Sequence, residues 1–180
     1  QKKITQIAID RKLTLIAWEE MFLWNQGEKS LHTFYKNNEL AGYAGVTHAL
    51  SLIGLTGNYG KAGKAVVLSY GSVSRGAVYA LQSQGYNDIT VYTHRDFTNV
   101  ADQLPTITYL NFEHDADGNL IAVDHAGNKE PFSDALSEAD VIVNGILQNP
   151  LNPLMFVPEK DANKLKSGAL IVDISCDEGM

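Results

Sequence analysis

The sequence predicts an α/β protein built on a doubly wound parallel sheet, and three observations predict it. Short, nearly continuous apolar segments at Ala65 to Tyr70, Asp88 to Thr93, Val141 to Ile146 and Ala169 to Ile174 read as strands buried on both faces. Helical segments at Arg75 to Gly85 and Ser133 to Ala139 fall between them, the alternation of a sheet covered by helices. The run VVLSYGSVSRGAVYAL joins a strand, a tight turn and a helix with no connector between them.

Taken in chain order, Ile4, Ile7 and Ala8 have helical spacing within Lys3 to Lys12, and Leu13 to Ala17 is an apolar run that predicts a strand. Trp18 to Trp24 reads as a loop or short helix, and Asn25 to Asn38 as a polar connector. ELAGYAGVTHALSLIG, Glu39 to Gly54, is apolar on nearly every turn and closes on glycine, so it predicts a helix that is buried or packed between two bodies. A glycine-rich turn, Gly57 to Lys64, precedes the first strand of the sheet. In the middle, Thr106 to Phe112 and Leu120 to Asp124 flank a strong turn and predict an inserted β-hairpin. Asp115, Asp117 and Asn119 resemble the start of a calcium loop, but the twelfth position holds Ala126 instead of glutamate, so an Asp-Gly turn is the expectation. No internal repeat is evident. Residues 1–38 are expected to be the remnant of an N-terminal domain with its connector. Residues 39–180 are then a second domain, opened by the linker helix 39–54.

Composition narrows the function. A content of 44% hydrophobic and 19% charged residues is that of an ordinary globular protein. A net charge of -7 argues against phosphate-backbone binding, so nucleic acid is not an expected partner. No apolar run reaches the roughly 18 residues of a membrane span, and QKKITQIAIDRK lacks a secretory signal core. With Cys176 as its one cysteine the chain has no internal disulfide, and a cytoplasmic setting is expected. Both ends fall in mid-pattern, which predicts a piece of a longer protein.

The segment Ser69 to Gly76 carries the chemistry. A pyrophosphate needs open backbone N–H groups at a helix N-terminus, where the helix dipole is positive. Gly71 allows that approach, Ser72, Val73, Ser74 and Arg75 open the helix, and Gly76 with Ala77 would keep it thin where it crosses the strand. Set against G-x-G-x-x-G, the chain reads Ser69-x-Gly71-x-x-Ser74, keeping only the central glycine; the flanking strand and helix make the case for a Rossmann nucleotide turn over an ordinary strand-to-helix turn. At the end of the next strand stand Thr93, His94 and Arg95, which suit the 2′-phosphate of NADP(H) better than the ribose hydroxyl of NAD(H). Arg95 as a solvated loop charge is the alternative. Beyond the later strands, Asn144, Gly145 and Ile146 are candidates for the nicotinamide side and Asp177 for contact with a reacting group, Asp173 being structural. His48 is expected to be a packing or interface histidine. His32, His114 and His125 lack ligand spacing, and no metal site is expected.

ELAGYAGVTHAL, AVVLSYGSVSRGA, ADVIVNGIL and LIVDISCDEG together resemble the alanine dehydrogenase and pyridine-nucleotide transhydrogenase family, including N5-(carboxyethyl)ornithine synthase. LTLIAWEEM looks, more loosely, like the last strand of that family's other domain. The resemblance implies a two-domain enzyme transferring hydride between a nicotinamide and an amino or imino (keto) acid, with Asp177 at the position of the family's catalytic aspartate. The family's catalytic histidine and substrate-binding lysine and arginine belong to its N-terminal domain, so the isolated chain is expected to be inactive. Ser69 and Ser74 depart from the family's glycines, and Thr93 departs from the acid of the NAD-specific members, which favours NADPH-using relatives. The alternatives are a nucleotide-binding component of a transhydrogenase, a non-catalytic NAD(P)-binding module or, less fittingly, another Rossmann enzyme such as a methyltransferase. The apolar linker helix implies a homo-oligomer.

Overall fold

The structure is a computed structural model that describes residues 2–59, 63–96, 98, 102–147 and 153–175. The chain forms two compact units, Gln1–Tyr35 and Lys36–Met180.

In the first unit, helix α1 (Lys2–Asp10) is followed by an extended stretch and a 3₁₀ turn at Trp18–Glu20. Strands β1 (Phe22–Asn25) and β2 (Glu28–His32) then pair antiparallel. The strand expected at Leu13 to Ala17 is not formed: the segment joins no ladder, and Leu13, Leu15 and Ile16 are exposed. An apolar run becomes a strand only where another strand offers it hydrogen bonds, and β1 and β2 take each other. That hairpin runs from the loop or short helix expected at Trp18 to Trp24 into the polar connector expected from Asn25. Gln26 and Gly27 both adopt positive φ, 52° and 85°, the backbone of a two-residue hairpin turn. Trp18 stacks on Phe34 at 5.2 Å between ring centroids.

In the second unit, α2 (Tyr35–Ile53) leads to β3 (Lys64–Leu68), α3 (Ser72–Ser83) and β4 (Asp88–Thr93). Next come β5 (Thr108–His114), β6 (Leu120–Val123) and β7 (Lys129–Pro131), then α4 (Phe132–Leu136), β8 (Val141–Asn144), a 3₁₀ helix at Glu159–Lys164 and β9 (Leu170–Asp173). The sheet order is β7-β6-β5-β4-β3-β8-β9. Strands β5, β4, β3, β8 and β9 are parallel, while β6 and β7 extend the β5 edge antiparallel. The expected inserted hairpin is thus a three-strand meander. Its third strand, Lys-Glu-Pro, is too short and polar to show in the sequence pattern.

Strands β3, β4, β5 and β8 each feed two cores, as alternation demands, whereas the edge strand β9 feeds one, its Ile171 being exposed. Ala65 and Val67 of β3 pack with Val46 and Leu50 of α2 and with Ala77, Val78 and Leu81 of α3 on one face. Val66 and Leu68 pack with Phe132 and Leu136 of α4 and with Phe156 on the other. Strand β3 stops at Leu68, two residues earlier than expected, because Ser69 turns to a φ of +72°. The role of Gly76 also differs from expectation. A Cβ there would lie 1.8 Å from the carbonyl oxygen of Glu39, so the glycine thins α3 against α2 and not against the strand. Gly42 of α2 returns the contact, its Cβ position being 1.9 Å from the Val73 carbonyl oxygen. No helix among the described residues is long and apolar enough to cross a membrane.

Candidate nucleotide-binding site

Strand order reverses at β3: the chain moves outward through β4 and β5, then returns to place β8 on the other side. In open α/β sheets the crevice for ligands lies at such a switch point, beyond the carboxyl ends of the strands. Three of the sequence-derived candidate groups meet there.

The first is the turn. The Ser69 N–H donates to the Tyr92 carbonyl at 2.7 Å, tying the turn to the end of β4. A left-handed backbone costs a serine about 1 kcal/mol. In return the Ser69 hydroxyl accepts the Gly71 N–H at 3.3 Å. Gly71 is the N-cap of α3 with φ -77°, and among the described residues a Cβ there would find only the Ser69 Oγ, at 3.9 Å. The chain therefore leaves this position open for reasons other than its own packing. The helical hydrogen-bond ladder begins with Arg75 N–H to Gly71 C=O, so the amides of Ser72, Val73 and Ser74 precede it at the positive end of the helix. A pyrophosphate fits this cradle. Ser74 contributes its backbone only: its hydroxyl is fully buried and donates to the Leu68 carbonyl at 2.9 Å. The serine in place of a third glycine thus pins the helix to the strand end.

The second group is Asn144, Gly145 and Ile146. Asn144 is buried, and its Oδ1 accepts the Ile146 N–H at 3.2 Å, shaping the turn after β8. Gly145 lies directly against the first turn of α3, where an added Cβ would sit 2.5 Å from the Ser74 Oγ and 3.2 Å from the Ser74 nitrogen. The third group ends β4. The buried Thr93 hydroxyl accepts the Arg95 N–H at 3.2 Å, and the Asn111 amide donates to the carbonyls of Thr93 and Arg95. The backbone under Arg95 is therefore fixed while the His94 and Arg95 side chains stand exposed. The His94 ring tilts against Phe112 at 5.7 Å.

Asp173 Oδ1 accepts both the N–H and the hydroxyl of Ser175, a turn-forming role. Cys176 and Asp177 lie outside the described residues. Asp115 is likewise a turn former, accepting the N–H groups of Asp117 and Asn119, and no group of metal-binding side chains forms among the described residues.

Sequence reasoning missed three contributors. Arg75 places its guanidinium 4.8 Å over the Tyr70 ring and 3.3 Å from an Asp102 carboxylate oxygen. Burial, and then the neighbouring Tyr109 hydroxyl, pushes the Tyr70 phenol up, so Tyr70 is a neutral platform and not an acid. Asn111 gave no signal beyond a polar residue inside a strand. Tyr92, pushed up to about 12 by burial and then by the Glu130 carboxylate, is likewise a neutral core group. A cavity of about 670 Å³ lies elsewhere, between the β5–β6 turn, the start of α4 and residues 153–164.

No protein-family model and no curated protein sequence matches the chain. Solved structures do. An L-alanine dehydrogenase superposes with a TM-score of 0.60 at 19% identity, covering 99% of this chain and 49% of that one. The transhydrogenase from Sinorhizobium meliloti gives 0.54 at 15% identity, over 88% of this chain and 44% of that one. The A chain of dipicolinate synthase from Bacillus subtilis gives 0.51 at 13%, over 95% and 45%. The chain thus spans about half the length of each of these three structures. At these identities the likeness is one of fold, and it agrees with the strand order and the turn: the second unit is a Rossmann-like α/β domain.

Proposed function

We propose that this chain is the nicotinamide-nucleotide-binding part of an oxidoreductase that acts on an amino acid or its imine, in the manner of alanine dehydrogenase or carboxyethylornithine synthase. One observation carries the reading. At the switch point between β3 and β8, the open Gly71 position stands before an unladdered helix N-terminus, with the ends of β4 and β8 on either side. The amides of Ser72, Val73 and Ser74 hold the pyrophosphate. His94 and Arg95, exposed on the backbone that the buried Thr93 hydroxyl fixes, receive the adenosine ribose and favour NADP(H). Asn144, Gly145 and Ile146 line the nicotinamide half, and Gly145, lacking a side chain, lets the turn after β8 lie against the first turn of α3. The bound cofactor supplies the hydride, while the protein orients it and excludes water. Asp177, four residues beyond the end of β9, is the group proposed to hold the substrate nitrogen. Residues 1–38 are proposed to be the end of a substrate domain, and the apolar linker helix to be a contact in a homo-oligomer.

Two measurements test this. The chain should bind NADPH about tenfold more tightly than NADH, a difference of about 1.4 kcal/mol, and Arg95→Ala should abolish the preference. Equal affinity, or tighter NADH binding, defeats the Thr93-to-Arg95 argument. In the full-length protein, Asp177→Asn should lower kcat by about 100-fold or more while leaving nucleotide affinity unchanged. Turnover close to wild type removes Asp177 from the mechanism, and nucleotide binding with no turnover of any amino or keto acid favours a binding module.

A further inference from the structure

Arg75 is the only basic side chain of α3 and stands in its first turn. Helical side chains lean towards the N-terminus, which brings the guanidinium back over Tyr70, the residue inside the phosphate turn. The platform is braced: the Tyr109 ring meets Tyr70 edge-on at 5.1 Å, and the Tyr109 hydroxyl accepts the Leu104 N–H at 2.9 Å. Leu104 and Asp102 both belong to the connection between β4 and β5, which starts at Thr93, His94 and Arg95. Arg75 therefore reaches this connection from the helix, while Arg95 enters it from the strand.

The pair that joins them is lopsided. The Arg75 side chain is only 18% exposed, whereas that of Asp102 is 84% exposed and sits on a backbone with a φ of +52°. A cation held over an aromatic ring is thus matched with a solvated carboxylate. Such an exposed pair contributes little, and a phosphate dianion, with more charge and more acceptor oxygens, is the stronger partner for a guanidinium.

We propose that Arg75 is a second reader of the cofactor's 2′-phosphate, and that Asp102 is its stand-in, paired with Arg75 in the free protein and displaced when the phosphorylated nucleotide binds. This deepens the NADP(H) reading of the strand end and rests on it. Arg75 sets specificity on the helix side of the adenosine, and the release of Asp102 couples NADPH binding to the β4–β5 connection.

Titration of the 180-residue chain with NADPH, NADH and 2′,5′-ADP tests the proposal. Arg75→Gln should weaken NADPH and 2′,5′-ADP by about tenfold or more and NADH by less than about threefold, with Arg75→Lys intermediate. Asp102→Asn should tighten NADPH about two- to fivefold and leave NADH unchanged, because only the phosphorylated nucleotide competes with the carboxylate. If Arg75→Gln weakens both dinucleotides in parallel, the guanidinium serves the pyrophosphate or the packing of the turn, and the proposal is overturned. An Asp102→Asn variant that binds NADPH as the wild type does removes the stand-in, and this arm remains readable should Arg75→Gln fail to fold. An NADPH preference abolished by Arg95→Ala but untouched by Arg75→Gln rejects Arg75 alone. A wild-type chain with no NADPH preference rejects the cofactor reading itself, and this inference with it.

Discussion

Replacing Gly76 by alanine should lower the stability of the chain by about 3 kcal/mol, a fall of roughly 6–12 °C in the thermal midpoint. The methyl group would be placed 1.8 Å from the carbonyl oxygen of Glu39 and 2.7 Å from its carbonyl carbon. Both are backbone atoms of α2, so no rotamer change relieves the contact and the helices must part. Parting them strips Val46 and Leu50 from Ala77, Val78 and Leu81, which are fully or almost fully buried in the same core. The better helix propensity of alanine returns about 1 kcal/mol and does not reverse the sign. Gly42→Ala should behave alike, since its Cβ position lies 1.9 Å from the Val73 carbonyl oxygen. Chemical denaturation checks both, and a Gly76→Ala midpoint equal to that of the wild type would refute the close crossing of α2 and α3.

The second large effect is expected at a glycine with the opposite character. Gly71→Asp should leave the fold intact or add a few tenths of a kcal/mol, because the position has an ordinary φ and open space, and aspartate is a favoured N-cap that complements the helix dipole. The same carboxylate would occupy the place proposed for the pyrophosphate and repel it. Affinity for NADPH and NADH should fall by about 100-fold or more, equally for both. Calorimetric titration beside a melting curve separates the two consequences. Stable protein with undiminished binding would move the nucleotide away from this turn.

The contrast between these glycines shows where the sequence was legible. The parallel strands were readable because both their faces are buried, leaving apolar runs such as Ala65-Val66-Val67-Leu68 with no other economical reading. The turn was readable because strand and helix abut it. What each glycine does was not. Gly71 and Gly76 stand in one short segment, and only three-dimensional contact reveals that the first is vacant and the second pressed against another helix. Arg75 was passed over for the same reason, since its partners Tyr70 and Asp102 are gathered by the fold and not by spacing. The hairpin turn at Gln26-Gly27 hid behind a glutamine, an unusual residue at positive φ.

The β5–β7 meander hid a regularity instead. Asp115 to Asn119 reads DADGN and Asp124 to Asn128 reads DHAGN. In each, the aspartate Oδ1 accepts the N–H groups two and four residues on, and the glycine takes a φ of +84° or +82°. Hydrogen bonds from these backbone and asparagine groups hold the Asp115 and Asp124 carboxyls below the usual carboxylate range. One turn was noticed for its likeness to a calcium loop. The second lacks that likeness, and so the repeat went unread.

The crossing of α2 and α3 has a mechanical meaning as well. With backbone set against backbone at Gly42 and Gly76, no side chain at the crossing can give way if the two helices are pressed together. A displacement of α2 towards α3 at Gly42 would therefore push directly on Val73, in the first turn whose amides would grip a phosphate.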